Sequence, residues 1–152
     1  MTPTPGRGIT PRVLQYDMVW TTRRNKGVLH GPVADRFEEL VAKACKDLGV
    51  ELIKMDVILN YVHLRVRIEV AKDAKTLLSA KQLVGKLKRL TAKHLRSEFK
   101  EIRKIPSMWT REQLIEDWEL TSKDIREYLA SKRGQEQDKR RENIVKSHAR
   151  PG

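Results

Sequence analysis

The chain has 152 residues, with 32 Lys and Arg against 20 Asp and Glu, a formal net charge of +12. Its one cysteine, Cys45, excludes an intrachain disulfide and a cysteine-based zinc site. Hydrophobic residues make up 39% of it, clustered in periodic blocks rather than dispersed as in a disordered chain, and no run approaches the ~20 apolar residues of a membrane span.

Residues 1–12 hold three prolines and two glycines and read as a flexible lead-in without the apolar stretch of a secretory signal, so a cytoplasmic protein is expected. A single domain over 13–132 follows. Leu14, Tyr16, Met18 and Trp20 alternate with Gln15, Asp17 and Val19, the period of a half-buried strand over about 13–22. Pro32 suits the first turn of a helix carrying Val33, Phe37, Leu40, Val41, Ala44, Cys45 and Leu48, with Gly49 as terminator. Ile53, Met55, Val57 and Leu59 form one alternating set and Val62, Leu64, Val66, Ile68 and Val70 the next, joined at Asn60 as a hairpin.

A long helix is predicted over 75–100, with Leu83, Val84, Leu87, Leu90, Thr91, His94 and Leu95 on its apolar stripe. Pro106 ends helical structure, and a fourth strand is expected in the stretch containing Met108, Trp109, Leu114, Ile115 and Trp118. Thr121 or Ser122 caps a last helix, Asp124 complements its amino end, and 133–152 is a charged tail or helical extension. The order β, α, β, β, α, β, α describes an α+β protein, a split β-α-β sandwich whose antiparallel sheet carries helices on one face.

Charge is concentrated: residues 75–104 contain ten Lys or Arg against Glu98 and Glu101. Lys86, Arg89, Lys93, Arg96 and Lys100 recur at steps of three and four, one stripe opposite the apolar one. Like charges on successive turns repel unless a partner neutralises them, and a nucleic-acid backbone does so with release of counterions. The plainer alternative is a solvated basic face. On the third strand Tyr61, His63, Arg65 and Arg67 share the side away from the apolar set, offering rings for base stacking and cations for phosphates. A solvent-exposed polar face is the alternative here too.

The segments YDMVWTTRRNKGVL, MDVILNYVHLRV, QLVGKLKRLTAKHLRSEF and MWTREQLIEDWELTSKDIREYLASK together resemble the small single-tyrosine transposases of the HUH endonuclease superfamily. The resemblance implies a ferredoxin-like fold, usually a homodimer, that binds hairpins and single-stranded DNA and cuts one strand through a 5′-phosphotyrosine bond with a divalent metal, Mg²⁺ or Mn²⁺. By it, the paired-histidine motif falls on Tyr61 and His63, the nucleophile on Tyr128 and the third ligand on Lys132. Two of three ligands are thereby lost, because a protonated Tyr61 is a poor ligand and Lys132 has no lone pair at neutral pH. Asp56, Asn60 or Asp124 would have to supply oxygens instead.

Each residue also has a structural alternative: His63 as a surface histidine, Tyr128 as a packing residue beside Ile125 and Leu129, His94 at the core edge, and Trp20, Trp109 and Trp118 in the core. The expected function is transposase-like binding of single-stranded or hairpin DNA with weak or lost cleavage. The alternatives are an active metal-dependent tyrosine transposase and a structural component binding structured RNA, with no membrane partner in any case.

Overall fold

Pro32 in the first turn and a positive φ at Gly49 bracket a helix whose apolar residues recur every three or four positions, so the chain from Gly31 to Asp47 coils and buries Val33, Phe37, Leu40, Val41 and Cys45. The computed structural model describes residues 12–70 and 79–131. The lead-in, residues 75–78 of the expected long helix, Lys132 and the expected tail lie outside them. The elements are β1 (Arg12–Thr21), a 3₁₀ turn (Arg23–Asn25), α1 (Gly31–Asp47), β2 (Val50–Ile58), β3 (Tyr61–Val70), α2 (Ala80–Glu98), α3 (Lys100–Arg103) and β4 (Leu114–Glu116). A last helix, α4, covers 122–131. The chain divides after Glu119 into two compact units.

In the first unit the sheet order is β2-β3-β1-β4, and every neighbouring pair is antiparallel. β1 and β2 flank β3, which is the split β-α-β arrangement expected from the element order. The inner face offers Met18 and Trp20 from β1 and Val62, Leu64, Val66 and Ile68 from β3, packed with the buried stripes of α1 and α2 into one core. Each such buried side chain contributes roughly 1.5–3 kcal/mol of transfer free energy. Trp20, Phe37 and Trp109 meet with ring centroids 5.6 to 6.4 Å apart. The Trp109 indole N–H donates to Thr91 Oγ1 at 3.1 Å, and the Thr91 hydroxyl donates to the Leu87 carbonyl at 2.7 Å, so the one polar residue on the buried stripe of α2 is satisfied. Trp118 is not part of that core: it is 55% exposed.

Two expected boundaries move for local reasons. α2 starts at Ala80 because Ser79 is extended and caps it: the Gln82 N–H donates to Ser79 Oγ at 3.0 Å, and the Ser79 N–H donates to Gln82 Oε1 at 2.9 Å. It stops at Glu98 because Phe99 leaves helical geometry (φ −123°, ψ 122°). In β2 a register shift between Leu52 and Lys54 inserts Ile53 as an extra residue. The expected apolar alternation therefore survives only at Met55 and Val57, while Ile53 and Leu59 are exposed.

In the second unit Thr121 and Asp124 cap α4 reciprocally. The Asp124 N–H donates to Thr121 Oγ1 at 3.1 Å and the Thr121 N–H donates to Asp124 Oδ2 at 2.9 Å, which holds the Asp124 carboxyl below the usual carboxylate range.

Candidate functional site

The outer face of the sheet carries the residues singled out on the third strand, and pairing decides what they meet. Antiparallel register sets Asp17 opposite Arg65 and Val19 opposite His63, with Asp56 opposite His63 from the other side. Asp17 is 1% exposed, and its carboxylate accepts from Arg65 Nε at 2.8 Å and Arg65 Nη2 at 3.1 Å, a fork-to-fork pair. His63 Nε2 lies 2.9 Å from the same carboxylate. An Arg-bound carboxylate carries no proton to give, so the imidazole is the donor. The hydrogen bond to Asp17 is also the main cause that raises the Arg65 guanidinium pKa. Asp56 Oδ2 lies 3.7 Å from His63 Nδ1 and 3.5 Å from Lys54 Nζ, and Arg67 pairs with Glu51 at 3.3 Å.

The expectation of an open row of ring and cations is thus corrected. His63 is buried, Tyr61 half-buried, and Arg65 and Arg67 are engaged by carboxylates on adjoining strands. The physical reason is cross-strand neighbourhood: residues directly opposite and diagonal lie close enough for opposite charges to pair.

The basic stripe on α2 fares differently. Lys86, Arg89 and Lys93 are exposed, and none has an ion-pair partner among the described residues. Arg96 turns aside and donates to the Ile105 carbonyl, and Lys100 lies beyond the break at Phe99, off the helical stripe. The stripe therefore shortens to its first three members. The structure adds others: a groove of roughly 930 Å³ is lined by Ser79, Lys81, Gln82, Gly85, Lys86, Lys88, Arg89, Thr110, Arg111 and Gln113, five of them cationic and none acidic.

Lys88 builds one wall. Its ammonium donates to the carbonyls of Thr110 and Glu112 at 2.9 and 3.1 Å and to Gln113 Oε1 at 2.9 Å, which uses its three N–H donors and pins that stretch beside α2. The same stretch is tied to β1, the Thr110 N–H donating to the Thr21 carbonyl at 3.1 Å. Gly85 leaves room for the guanidinium of Arg89, since a Cβ there would sit 3.3 Å from Arg89 Nη1.

The family described as "Transposase IS200 like" matches residues 11–132. The chain belongs to that family. A protein from Deinococcus radiodurans R1, provisionally named a transposase, has a similar fold (TM-score 0.65) at 22% identity, over 86% of this chain and 97% of that one. So does a REP-associated tyrosine transposase bound to a REP hairpin, with TM-score 0.53 and 12% identity, over 84% of this chain and 68% of that one. No curated protein is similar enough to count as a match. No helix among the described residues is long and apolar enough to cross a membrane.

For an IS200-like transposase the residues at the expected metal position fit a divalent ion poorly. Nε2 of His63 faces Asp17, both oxygens of Asp17 are bound by Arg65, the position expected for the first imidazole holds Tyr61, and a fixed positive charge already sits on the carboxylate. No group of three His, Cys, Asp or Glu among the described residues is arranged to hold a metal. Of the substitute oxygen donors, Asp56 is beside Lys54, the Asn60 side chain donates to Asn25 Oδ1 at 3.5 Å, and Asp124 caps α4. Tyr128 is half-buried on α4, and burial pushes its phenol up to about 12.

Sequence reasoning missed Asp17, Lys81, Lys88 and Arg111. Asp17 was legible as a polar residue on a strand, but its neighbours depend on which strand pairs with β1. Lys88 was legible as a cation out of phase with the stripe, and Arg111 lies in an irregular stretch whose placement no periodicity reveals.

Proposed function

We propose that the protein binds hairpin-bearing or single-stranded DNA through the groove beside α2, with weak or no strand-cleaving activity. What carries the reading is an acid-free groove ringed by Lys81, Lys86, Lys88, Arg89 and Arg111 in a chain of the IS200-like transposase family. A groove of one charge sign is a pathway for a phosphodiester backbone, and such binding is sequence-tolerant and salt-sensitive. That one of the similar folds is bound to a REP hairpin supports hairpins as the ligand. The same family reading includes a homodimer, which sedimentation velocity tests.

The proposed loss of cleavage rests on the donor set around His63 and on Tyr128. An attacking tyrosine must shed its proton, and burial raises the phenol to about 12, the opposite of activation. Both halves are measurable. Fluorescence anisotropy with a labelled DNA hairpin bearing a single-stranded flank should show binding at low salt. In the K86Q/R89Q/R111Q chain, the slope of log K against log salt should fall by about 2, from ~0.7 per phosphate contact on a single strand. No binding at low salt, or an unchanged slope, overturns the groove. A tenfold preference for hairpin RNA would instead make this a structural RNA-binding component. A covalent DNA adduct formed with Mg²⁺ or Mn²⁺ and lost in Tyr128→Phe would overturn the loss of cleavage.

A further inference from the structure

We propose that the groove beside α2 reads a base as well as holding the backbone: Lys88 fixes the side-chain amide of Gln113, leaving its N–H₂ for the ligand, so that a base bearing a keto oxygen is preferred over one bearing an amino group. The inference rests on the groove reading and deepens it, adding a modest preference to a sequence-tolerant grip, and it makes no use of the outer face of the sheet.

An ammonium has donors only, so the Gln113 atom 2.9 Å from Lys88 Nζ is the carbonyl oxygen, and that contact settles the orientation of the amide. The other two ammonium protons go to the Thr110 and Glu112 carbonyls at 2.9 and 3.1 Å, which leaves Lys88 no donor for a phosphate. The chain around the amide is held too: the Thr110 N–H donates to the Thr21 carbonyl at 3.1 Å, and Leu114, the residue after Gln113, pairs with Val19 of β1. The Gln113 N–H₂ has no hydrogen-bond partner among the described residues. A glutamine free to turn reads adenine through its oxygen and its N–H₂ together; with the oxygen held against an ammonium, this one offers donors.

Exposure sorts the groove in the same sense. Lys81, Lys86, Arg89 and Arg111 are exposed, whereas Gln113 is half-buried. A strand in the groove meets cations with its phosphates at the outside and an uncharged donor farther in, where a base edge belongs. The keto oxygen of thymine, uracil or guanine accepts from that N–H₂, while the amino group of cytosine or adenine at the equivalent position sets donor against donor. A site built on a hydrogen bond rejects the analogue that cannot make it, because its polar group is left unpaired. Solvent reaches a half-buried amide, so the discrimination here is severalfold.

The test is fluorescence anisotropy of the full chain at low salt with two labelled DNA hairpins of identical stem. Their single-stranded flanks, about eight nucleotides long, are all deoxyuridine in one and all deoxycytidine in the other, which exchanges a keto for an amino group on the same ring. The unaltered chain should bind the deoxyuridine flank at least about threefold more tightly. In Gln113→Met the ratio should fall below about two, and likewise in Lys88→Met, where the amide is free to turn. Gln113→Glu keeps an oxygen beside Lys88 without an N–H and should reverse the preference, since a carboxylate accepts from the cytosine amino group. Arg111→Gln should weaken both complexes alike and keep the ratio, because the phosphates are the same in both.

A ratio under about threefold in the unaltered chain overturns the inference, as does a ratio that survives Gln113→Met or Lys88→Met. Each ratio compares two DNAs on one chain, so a loosened fold would weaken both and leave the ratio in place. Should Lys88→Met fail to fold, the two Gln113 replacements carry the test. Equal, salt-sensitive binding of both hairpins would sink the base reading and leave the groove standing, whereas no binding of either would sink the groove reading beneath it.

Discussion

Replacing Asp17 by Asn removes one oxygen and the charge at nearly constant volume, which isolates the electrostatics of the outer-face cluster from packing. The carboxylate is 1% exposed and accepts from Arg65 at 2.8 and 3.1 Å and from His63 at 2.9 Å. An Asn side chain can offer its carbonyl to one of these donors, and its amide N–H₂ then faces the other, donor against donor. Removing one partner of a buried pair costs about 3–5 kcal/mol. Arg65 is 15% exposed and has Glu119 at 3.9 Å, so part of its charge is recovered by solvent and by that residue. A loss of about 2–4 kcal/mol results, or roughly 6–12 °C in melting temperature for a chain of this size.

Urea unfolding followed by circular dichroism measures it directly. The double replacement Asp17→Leu with Arg65→Met should be less damaging than the sum of its singles by about 1 kcal/mol or more, because no charge is then left buried and unpaired. A loss below about 0.5 kcal/mol for Asp17→Asn, with additive singles, would show that the cluster is an incidental surface pairing and would refute the burial argument.

Gly85→Ala should stabilise α2 by about 0.5–1 kcal/mol as an interior glycine is removed. DNA binding should change by less than about twofold, because the new Cβ, 3.3 Å from Arg89 Nη1, asks that exposed guanidinium to give by only a few tenths of an ångström; a loss of stability in urea unfolding would show that Arg89 cannot yield. Leu59 has φ +39° and is 54% exposed at the β2–β3 turn, so Leu59→Gly should be neutral or stabilising by up to about 1 kcal/mol in urea titration, where an ordinary exposed leucine would lose stability on such a change.

The buried Cys45 thiol is pushed up to about 11 by desolvation. Its folded pKa lies above the ~8.5 of a free thiol, so its contribution to stability is full below that value and is lost as pH rises through about 11. Against Cys45→Ala, the unaltered chain should show the steeper decline from pH 8.5 to 11 by about 2–3 kcal/mol, and thiol labelling should be slow until urea unfolds it.

Much of the fold was legible because its elements announce themselves over short distances. The period of two in Leu14, Tyr16, Met18 and Trp20 is the inner face of β1, and the steps of three and four from Val33 to Cys45 are the buried stripe of α1. The Thr121–Asp124 cap was visible as two residue types at the right separation. Where neighbouring geometry departed from the repeat, the reading slipped. Ile53 looked like the next inward residue and is the extra residue of a bulge, and Lys100 looked like a fifth member of the stripe and lies past the kink at Phe99. Trp118 has the side chain of a core residue and faces solvent.

The candidate site divides along the same line. A surplus of positive charge, its concentration between residues 75 and 104, and a tyrosine, Tyr61, two places before His63 are all properties of residue order, and they depend on no contact between distant segments. Which cations stand unpaired is another matter. Arg65 and Lys86 are equally basic in the sequence, yet strand pairing places one against Asp17, 48 positions away, while the other borders a groove whose far wall is Thr110 to Gln113. Coulomb interaction depends on distance through space and on the surrounding dielectric, and both are set only when β1 meets β3 and Lys88 draws the 110–113 stretch against α2.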